Sequence, residues 1–416
     1  MRNTPIGVER MNADAPRPRL AAVSPFLDKE HGTERMVVEW ITHLADEFEI
    51  HVYSQSVDDI DLSRFTWHRI PKLGGPHIVN YLWWFVANWF FRFWDSLQGL
   101  KYDLVFSPGI NCFDADAVSV HIVFAEFVRR VRPDLKFFHN SIGFWPRLVH
   151  RRLYYRLAIF LEGIVFRNPR IQLILTAPQT AGELKRFYGR EGGLPVISAA
   201  FDSSTFNPER RSSLRDGARL ALAIPQDHFA TLLVGNDWRK KGLPALLDAM
   251  RDLSDLPVDM FVVGEDDPGP YRALIRERNI QKQVHFLPPR KDVEFYYAAA
   301  DAYVGPSLED TFALPVAEAM ACGLPVIVSA RAGASALITD GADGLILNDP
   351  TDSESLAAMI RRLCLDSELC SRLGANAAVT TRPYTWERSS RELATIFEGI
   401  LRKKARPTAQ TAEQKS

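Results

Sequence analysis

The chain has 416 residues, more than one ordinary domain needs and enough for two large ones. Apolar residues make up 46% and charged residues 24%, the balance of a globular protein rather than of a disordered one. The formal net charge of -1 argues against a chain-wide attraction to nucleic acid, which we do not expect as a partner.

The amino-terminal residues and the cysteines bear on the cellular compartment. Residues 1–18 are polar and lack the apolar stretch of a signal peptide, so we expect a disordered tail there. The four cysteines (Cys112, Cys322, Cys364 and Cys370) form no CxxC pair. This usage is typical of reduced, structural thiols, and we expect a cytoplasmic protein.

Short β-branched runs alternate with helical patterns through residues 19–205. We predict a first strand at 20–23, a helix at about 33–46 and a strand at 49–53. Further strands are predicted at 104–106, 172–175 and 195–198. Such alternation indicates an α/β domain with a parallel sheet and helices on both faces.

Residues 78–91 contain no Asp, Glu, Lys or Arg, and four of the nine tryptophans fall within residues 83–94. The stretch is shorter than the roughly 20 apolar residues that span a bilayer. Asn80, Asn88 and Arg92 recur at helical spacing. Two interpretations stay open, a helix packed on a sheet and a helix lying at the inner face of a membrane. A second, basic helix near 147–156, with Arg151 and Arg152, could meet anionic lipid.

The pattern restarts after a polar stretch at 201–226, which we interpret as a linker. Residues 206–385 are predicted to form a second α/β domain that faces the first across a cleft. A helix at 386–401 follows, which could pack back on the first domain, and a disordered tail at 402–416. The predicted strands of the second domain are 230–234, 260–263, 284–287, 302–304 and 325–329.

Residues 306–328 carry the pattern most typical of a binding site. They read as a strand end, an acidic loop, a helix that begins near Leu314 or Pro315, a turn and a buried strand. The unpaired N–H groups of the first helical turn, with those of the preceding Thr311, Phe312 and Ala313, favour an anion such as phosphate.

Two carboxylates flank this helix start. Asp310 lies in the loop, beside Glu309, and Glu318 follows eight residues later in the helix. Ionised carboxylates accept hydrogen bonds from hydroxyls and so bind sugars. The segment is therefore suited to a phosphate with hydroxyl-bearing groups on either side.

The spacing of Asp310 and Glu318 resembles the Glu-(x)7-Glu signature of retaining family 4 glycosyltransferases, which have the two-domain GT-B fold. The resemblance implies that the first acid binds the transferred sugar and that Glu318 binds the donor ribose. Here the first acid is Asp310, and Glu309 could take its role. The family's second glycine is replaced by Ala313, which still supplies an N–H group.

A basic loop supports the same interpretation. Arg239, Lys240 and Lys241 follow a predicted strand and the residues Gly235 and Asn236. Arginine and lysine are natural counterions of a diphosphate. The resemblance maps the family's basic pair onto Lys240 and Lys241 and implies that they stabilise the leaving diphosphate.

Weaker matches extend the resemblance to about residues 19–401. Gly32 and Thr33, after His31, correspond to a glycine loop that approaches the donor phosphate. Residues 201–208 resemble the segment that ends the family's first domain. Gly264 and Leu287 lie at the ends of strands whose following loops hold the nucleotide base in the family. The usual acid after residues 326–329 is absent, and we expect the backbone of Gly333 to matter more.

The segment 113–121 follows a predicted strand and supplies three candidate polar residues near the donor sugar, His121, Asp114 and Asp116. Each has a structural alternative as a hydrogen-bonded polar group. No GxGxxG or Walker pattern occurs, so nicotinamide and ATP chemistry have no support. The resemblance implies a family that acts without a bound metal.

The sequence thus predicts a retaining, metal-independent hexosyltransferase. It would move a sugar from a nucleoside-diphosphate sugar, a UDP-sugar before a GDP-sugar, to a glycan or lipid-linked acceptor. Two alternatives remain, a sugar-nucleotide epimerase or hydrolase of the same fold and a non-catalytic nucleotide-sugar binder.

Overall fold

The computed structural model describes residues 16–29, 32–58, 60–75, 77–131, 145–198 and 200–405. Within these residues the chain builds two six-stranded sheets and a two-stranded ribbon. The chain divides into two compact units. The first comprises Met1–Val118, Arg170–Gln172 and Ala394–Ser416, and the second Ser119–Pro169 and Leu173–Leu393. The domain boundary predicted at residue 205 stays a prediction.

The first sheet has the order β5-β3-β1-β6-β7-β8. In this sheet β1 pairs in parallel with both β3 and β6. Numbered along the chain, the strands stand in the order 3-2-1-4-5-6 of a doubly wound sheet. The strands of this half are β1 Arg19–Val23, β2 Phe26–Leu27, β3 Glu49–Ser54, β4 Ser56–Val57, β5 Thr66–Arg69, β6 Leu104–Pro108, β7 Ala117–Val120 and β8 Gln172–Leu175.

The second sheet repeats this order as β11-β10-β9-β12-β13-β14. Its buried strands are rich in Val, Leu and Ile, as expected for a parallel sheet covered on both faces. The strands are β9 Phe229–Val234, β10 Val258–Val263, β11 Val284–Leu287, β12 Ala302–Gly305, β13 Val326–Ser329 and β14 Leu345–Leu347. The predicted α/β fold with two Rossmann-like sheets is confirmed.

Helices connect the strands of both sheets. They are α1 Gly32–Leu44, α2 His77–Leu97, α3 Phe124–Val131, α4 Trp145–Phe166, α5 Thr180–Tyr188, α6 Pro208–Ala221, α7 Leu243–Arg251, α8 Gly269–Glu277, α9 Glu294–Ala299, α10 Leu314–Ala321, α11 Ser353–Leu365, α12 Ser367–Thr381 and α13 Trp386–Ala405. None of the helices in the described ranges is both long and apolar enough to cross a bilayer.

The predicted linker at 201–226 contains a helix. Asn207 caps α6 by accepting from the N–H of Arg210, and a proline begins its first turn. Arg211 and Arg215 donate to the carbonyl of Ala300, just past the end of α9. The arginines that made this stretch look like a solvated linker thus bind the carboxyl end of another helix.

Three further differences concern element bounds. The predicted strand at 195–198 is only an isolated bridge between Val196 and Leu175. The last helix runs to Ala405, so the first four residues of the predicted tail are helical. The strands β5, β7 and β14 were not predicted from the sequence.

The end of α13 belongs to the first unit. The Phe397 ring lies 5.9 Å from that of Phe48 and 5.4 Å from that of Phe106. Lys404 pairs with Asp116 at 2.7 Å. The final helix therefore contributes apolar area and one ion pair to the unit that carries β1 and β6.

Candidate functional site

The loops that the sequence singled out leave the carboxyl edge of the second sheet. Residues 235–242 follow β9, Gly264 follows β10 and residues 306–313 follow β12. Since β9 and β12 are neighbours from which the chain winds in opposite directions, their loops flank the switch point of the sheet. Ligands of doubly wound sheets bind at such a point.

An ion pair joins the basic and the acidic loop. The Lys241 Nζ atom lies 2.5 Å from the Asp310 Oδ2 atom, and the two side chains are 17% and 15% exposed. Two residues that are 69 positions apart are thus held together at the edge of the sheet. This pair places one cation and one carboxylate where the sequence predicted a diphosphate and its sugar.

Gly242 allows the two loops to approach each other. Its φ angle is +82°, and a Cβ atom at this position would lie 2.0 Å from the carbonyl oxygen of Pro306. Any side chain would therefore push the basic loop away from the acidic loop. The N–H of Leu308 donates to the carbonyl of Lys240 at 2.7 Å and completes the junction.

The acidic loop leads into α10, which begins at Leu314 as predicted. Ala313 immediately before it has a left-handed backbone, with φ 68° and ψ 67°. The carbonyls of Asp310 and Phe312 accept from the N–H groups of Gly333 and Ala334, at 3.0 and 2.6 Å. Backbone contacts thus fix the loop, as expected for Gly333, and the first N–H groups of α10 have no partner within the helix.

Glu318 is 3% exposed and lies in the second turn of α10. Its Oε2 atom accepts a hydrogen bond of 2.8 Å from the hydroxyl of Tyr297. Burial, with the neighbouring charge of Glu318, raises the pKa of Tyr297 well above its ordinary value. Tyr297 thus stays protonated and orients the carboxylate, a role that the sequence gave no signal for.

The other residues of the basic loop are held by the loop after β10. The Asn236 Oδ1 atom accepts from the N–H of Glu265 at 2.9 Å. The Asp266 carboxylate accepts from the N–H of Trp238 at 2.6 Å. The sequence did not single out Asp266, because an exposed loop acid has no distinguishing pattern. These hydrogen bonds connect the loop that follows β9 to the loop that follows β10.

Gly264 and Leu287 lie at the neighbouring strand ends, where the N–H of Gly264 donates to the carbonyl of Leu287 at 3.3 Å. Next to them, the buried Trp238 stacks on Phe286 with 4.9 Å between ring centroids. Gly264 and Leu287, which the sequence proposed for the nucleotide base, are therefore adjacent.

Lys240 is held by an acid of its own loop. The Lys240 Nζ atom pairs with Asp237 at 2.8 Å and lies 5.5 Å from the Phe127 ring centroid. Arg239 is exposed. Of the three predicted cations, Lys241 is the one whose ammonium group pairs with Asp310 at 2.5 Å, and Lys240 pairs with Asp237.

His121 directly follows β7 and is 8% exposed. Its Nε2 atom lies 2.9 Å from the Ser119 hydroxyl. Burial lowers the pKa of His121 to about 4, so the ring is neutral at pH 7. A neutral imidazole can hydrogen-bond a sugar hydroxyl but carries no positive charge to stabilise an anion.

Asp114 and Asp116 are not grouped with His121. They precede β7, whereas His121 follows it, and this strand was missed in the sequence. Both carboxylate oxygens of Asp114 accept from Arg92 of α2, at 2.8 and 2.6 Å. Asp116 accepts from the N–H of Val105 at 2.8 Å. Both acids have structural partners, and a role near the donor sugar stays a prediction.

Gly32 and Thr33 begin α1 in the first unit, and their contact with a phosphate stays a prediction. His31 lies outside the described residues. Glu309 is half-buried, and the choice between it and Asp310 as sugar ligand also stays a prediction. Across the described ranges no group of three or more His, Cys, Asp or Glu is placed to hold a metal ion.

The sequence is similar to known glycosyltransferases, chiefly in its second half. The profile of the family described as "Glycosyl transferases group 1" matches residues 216–380. The lipopolysaccharide glucosyltransferase WaaG of Escherichia coli K12 is 27% identical over 241 residues, which are 56% of this chain and 63% of the relative. A D-inositol 3-phosphate glycosyltransferase of Thermomonospora curvata is 30% identical over 55% of this chain and 57% of its own length. The chain thus spans about six tenths of these relatives.

Solved structures match over nearly the whole chain. A WaaG crystal structure has a TM-score of 0.75 at 22% identity and covers 91% of this chain and 100% of its own. HepE of Anabaena in complex with UDP and glucose has a TM-score of 0.65 at 19% identity, covering 92% of this chain and 100% of its own. At such identities the likeness concerns the fold. Residues 216–380 thus match the glycosyl transferases group 1 family, and the two sheets have the GT-B fold.

Proposed function

We propose that this protein is a retaining, metal-independent glycosyltransferase that moves a hexose from a nucleoside-diphosphate sugar to a hydroxyl of a glycan or glycolipid. The observation that carries this proposal is the Lys241–Asp310 pair just before the start of α10, with Glu318 in the second turn of that helix. A cation, a helix amino terminus and two carboxylates are the groups that a sugar diphosphate requires.

Lys241 and the N–H groups of Phe312, Ala313 and Leu314 are proposed to bind the diphosphate. A helix amino terminus carries partial positive charge and open donors, and lysine adds a full charge. Lys240 and Arg239 add positive charge at the surface of the same loop. Gly235 and Asn236 are proposed to contact the donor from the beginning of this loop. These groups stabilise the charge that develops as the diphosphate leaves.

The carboxylates are proposed to bind the two sugars of the donor. Asp310 would accept from hydroxyls of the transferred hexose, and Glu318, oriented by Tyr297, from the ribose hydroxyls. His121 would contribute a neutral hydrogen bond to the hexose. The base would lie against the strand ends at Gly264 and Leu287.

In the proposed reaction the bond between the anomeric carbon and the diphosphate oxygen breaks, and the acceptor oxygen bonds to the same face of that carbon. Because the new bond forms on the face that the diphosphate leaves, configuration is retained without a protein nucleophile. The acceptor proton passes to the departing diphosphate, so no protein base is needed. Most of the rate enhancement would come from positioning and from stabilisation of the leaving group.

A UDP-sugar is the donor that we test first. HepE, which shares the fold, was solved with UDP-glucose, and the relative WaaG is named a glucosyltransferase. A thermal-shift comparison of UDP-, GDP- and ADP-sugars identifies the donor, because a ligand that binds the folded state raises its stability by mass action. We expect the largest shift with a UDP-sugar.

The role of Lys241 is tested by Lys241→Ala. We expect turnover to fall by about 100- to 1,000-fold, the effect of removing one donor from an oxyanion site. Lys282→Ala, an exposed lysine just before β11 at the opposite edge of the sheet, is the matched control and should keep wild-type turnover.

Wild-type turnover in Lys241→Ala would remove the diphosphate assignment. Product analysis without acceptor separates the other enzyme classes, since release of free hexose would indicate a hydrolase and a changed sugar an epimerase. Donor binding with no transfer across an acceptor panel would indicate a non-catalytic binder.

A further inference from the structure

Helix α2 buries the polar Asn88 and Arg92 together with Trp84 and Ala87, and most of its other apolar residues are exposed. Arg92, 7% exposed, is bound by both oxygens of Asp114, and the fully buried Asn88 donates to the carbonyl of Asn111 at 3.3 Å. Asp95 pairs with His68 at 3.0 Å and accepts from the Tyr53 hydroxyl. The inner face is therefore attached to the unit by hydrogen bonds and ion pairs.

The outer face of α2, defined as the exposed apolar residues from Val79 to Leu97, bears no charge. Val79, Leu82, Val86, Trp89 and Phe93 follow one another at spacings of three and four residues, and all are exposed. Val86 is 60% exposed and Trp89 56% exposed. This face is continuous over about five helical turns, and contiguous exposed apolar surface of this kind marks an interaction site.

Aromatic rings dominate the second half of this face. Trp89 stacks on Phe93 with ring centroids 5.4 Å apart, and Phe90 stacks on Trp94 at 6.4 Å. Tryptophan and phenylalanine are the side chains that insert between lipid headgroups and acyl chains. The stacked pairs hold these rings in place before any partner binds.

The exposed charged side chains in the sequence of residues 66–102 are basic. Arg69 and Lys72 precede the helix, Lys101 follows it, and all three are exposed. Asp95 is the one acid in the sequence of residues 66–102, and it is turned inward. Basic residues at both ends of an apolar face complement a surface of anionic phospholipid.

We propose that the outer face of α2 docks the protein on a membrane that contains anionic phospholipid, with the helix lying in the plane of the headgroups. The attached inner face fixes this orientation, because α2 cannot leave Asp114 and His68 without exposing buried Arg92 and Asn88. This inference does not rest on the proposed function, since binding to lipid needs neither donor nor acceptor.

A second copy of this chain fits the outer face less well. Two-helix interfaces combine a narrow apolar seam with charged residues on either side, which pair across the interface. Here Phe90, Trp94 and Leu97 extend the apolar surface beside the first row, and no charged side chain borders it on the helix. A broad uncharged face rich in tryptophan matches lipid.

The proposal is tested by flotation of the full chain with vesicles of zwitterionic phospholipid, with and without anionic phospholipid. We expect binding to the anionic vesicles and at least about tenfold weaker binding of the double variant Trp89→Glu, Phe93→Glu. The double variant Leu220→Glu, Leu365→Glu is the matched control, because both leucines are exposed, at 83% and 66%, and lie outside α2. It should bind as the wild type does.

A second measurement does not depend on variants. Lipids brominated near the headgroup should quench tryptophan fluorescence of the wild type more strongly than lipids brominated at the chain end. The triple variant Arg69→Gln, Lys72→Gln, Lys101→Gln should lose the preference for anionic vesicles. Absence of wild-type binding, or equal binding of the Trp89→Glu, Phe93→Glu variant, would overturn the proposal. A wild-type dimer that this variant dissociates, without vesicle binding, would assign the face to a second copy.

Discussion

Ala313 adopts a backbone conformation in the candidate site that is unfavourable for a residue with a side chain. Its φ of 68° is left-handed, a conformation that costs an ordinary residue about 1–2 kcal/mol and glycine little. Glycine stands at the corresponding place in the family that the sequence resembles. The loop keeps this conformation with alanine because Gly333 and Ala334 hold the neighbouring carbonyls.

Ala313→Gly should therefore stabilise the protein. We expect a gain of up to about 1 kcal/mol in the free energy of unfolding, since relief of the left-handed strain exceeds the entropy that glycine adds to the unfolded chain. The control Ala375→Gly, at an exposed position inside α12, should lose about 1 kcal/mol. Urea denaturation measures both, and equal losses in the two variants would contradict the argument.

Tyr297 is expected to act on donor binding through Glu318. Tyr297→Phe removes one buried hydrogen bond to a carboxylate, worth about 1.5–3 kcal/mol, so the KM for the donor should rise by about tenfold or more. The control Tyr296→Phe removes a hydroxyl that donates to the carbonyl of Pro288 and should leave this KM near the wild-type value. Parallel changes of KM in both variants would indicate a general loss of packing instead.

At the scale of elements, the attachment of α2 depends on a salt bridge between Arg92 and Asp114, a residue that the sequence proposed as catalytic. Asp114→Asn leaves the Arg92 guanidinium buried with weaker acceptors, whereas Asp114 itself is 55% exposed. After allowance for that exposure we expect a loss of about 1 kcal/mol in unfolding free energy with kcat retained. A large fall in kcat at unchanged stability would restore Asp114 to the reacting centre.

Strands and helices were predicted correctly where a single hydrophobic pattern dominates the sequence. They were missed where polar residues interrupt that pattern. The strands at 172–175 and 284–287 were predicted to the residue, because apolar β-branched runs in a buried parallel sheet have few alternatives. Helix α6 was missed because its arginines suggested solvent, although they bind Ala300 and Asp301. The strand β7 was missed because Ser119 interrupts its apolar run, yet that serine is fully buried.

At the scale of the whole molecule, two histidines contribute a stability that falls on acidification, whereas Glu162, whose pKa burial raises to about 7, contributes in the opposite direction. Burial lowers the pKa of His121 to about 4 from an ordinary 6.5, and burial also lowers the pKa of His68. Each imidazole then binds its proton more weakly in the folded state than in the unfolded state. The contribution of His121 to stability is complete above about pH 6.5 and is lost as the pH falls from there toward about 4.

His121→Gln removes one of these titrating groups. We expect the wild type to lose about 3 kcal/mol more than the variant between pH 6.5 and 4, as a shift of about 2.5 units implies. Denaturation in urea at both pH values measures the difference. The same loss in wild type and variant would show that His121 is protonated in the folded protein.

The chemistry-bearing segments of the site could be found in the sequence, but their pairing could not. Asp310 and Glu318 belong to one local pattern, and α10 begins where proline and the loop predicted. That Lys241 rather than Lys240 reaches Asp310 depends on the turn at Gly242 and on Asp237, which holds Lys240. Tyr297 orients Glu318 from 21 positions away, a contact that only the folded chain creates.

The Lys241–Asp310 pair has a consequence for selectivity against the anions of the cell. An incoming anion must displace a carboxylate that already satisfies the lysine, and a small anion such as sulfate offers Asp310 nothing in return. A sugar diphosphate offers hydroxyls to the displaced carboxylate and oxygens to the lysine. Asp310 thus competes with incoming anions for Lys241. Ordinary buffer anions should therefore be weak inhibitors, whereas the intact donor can still bind.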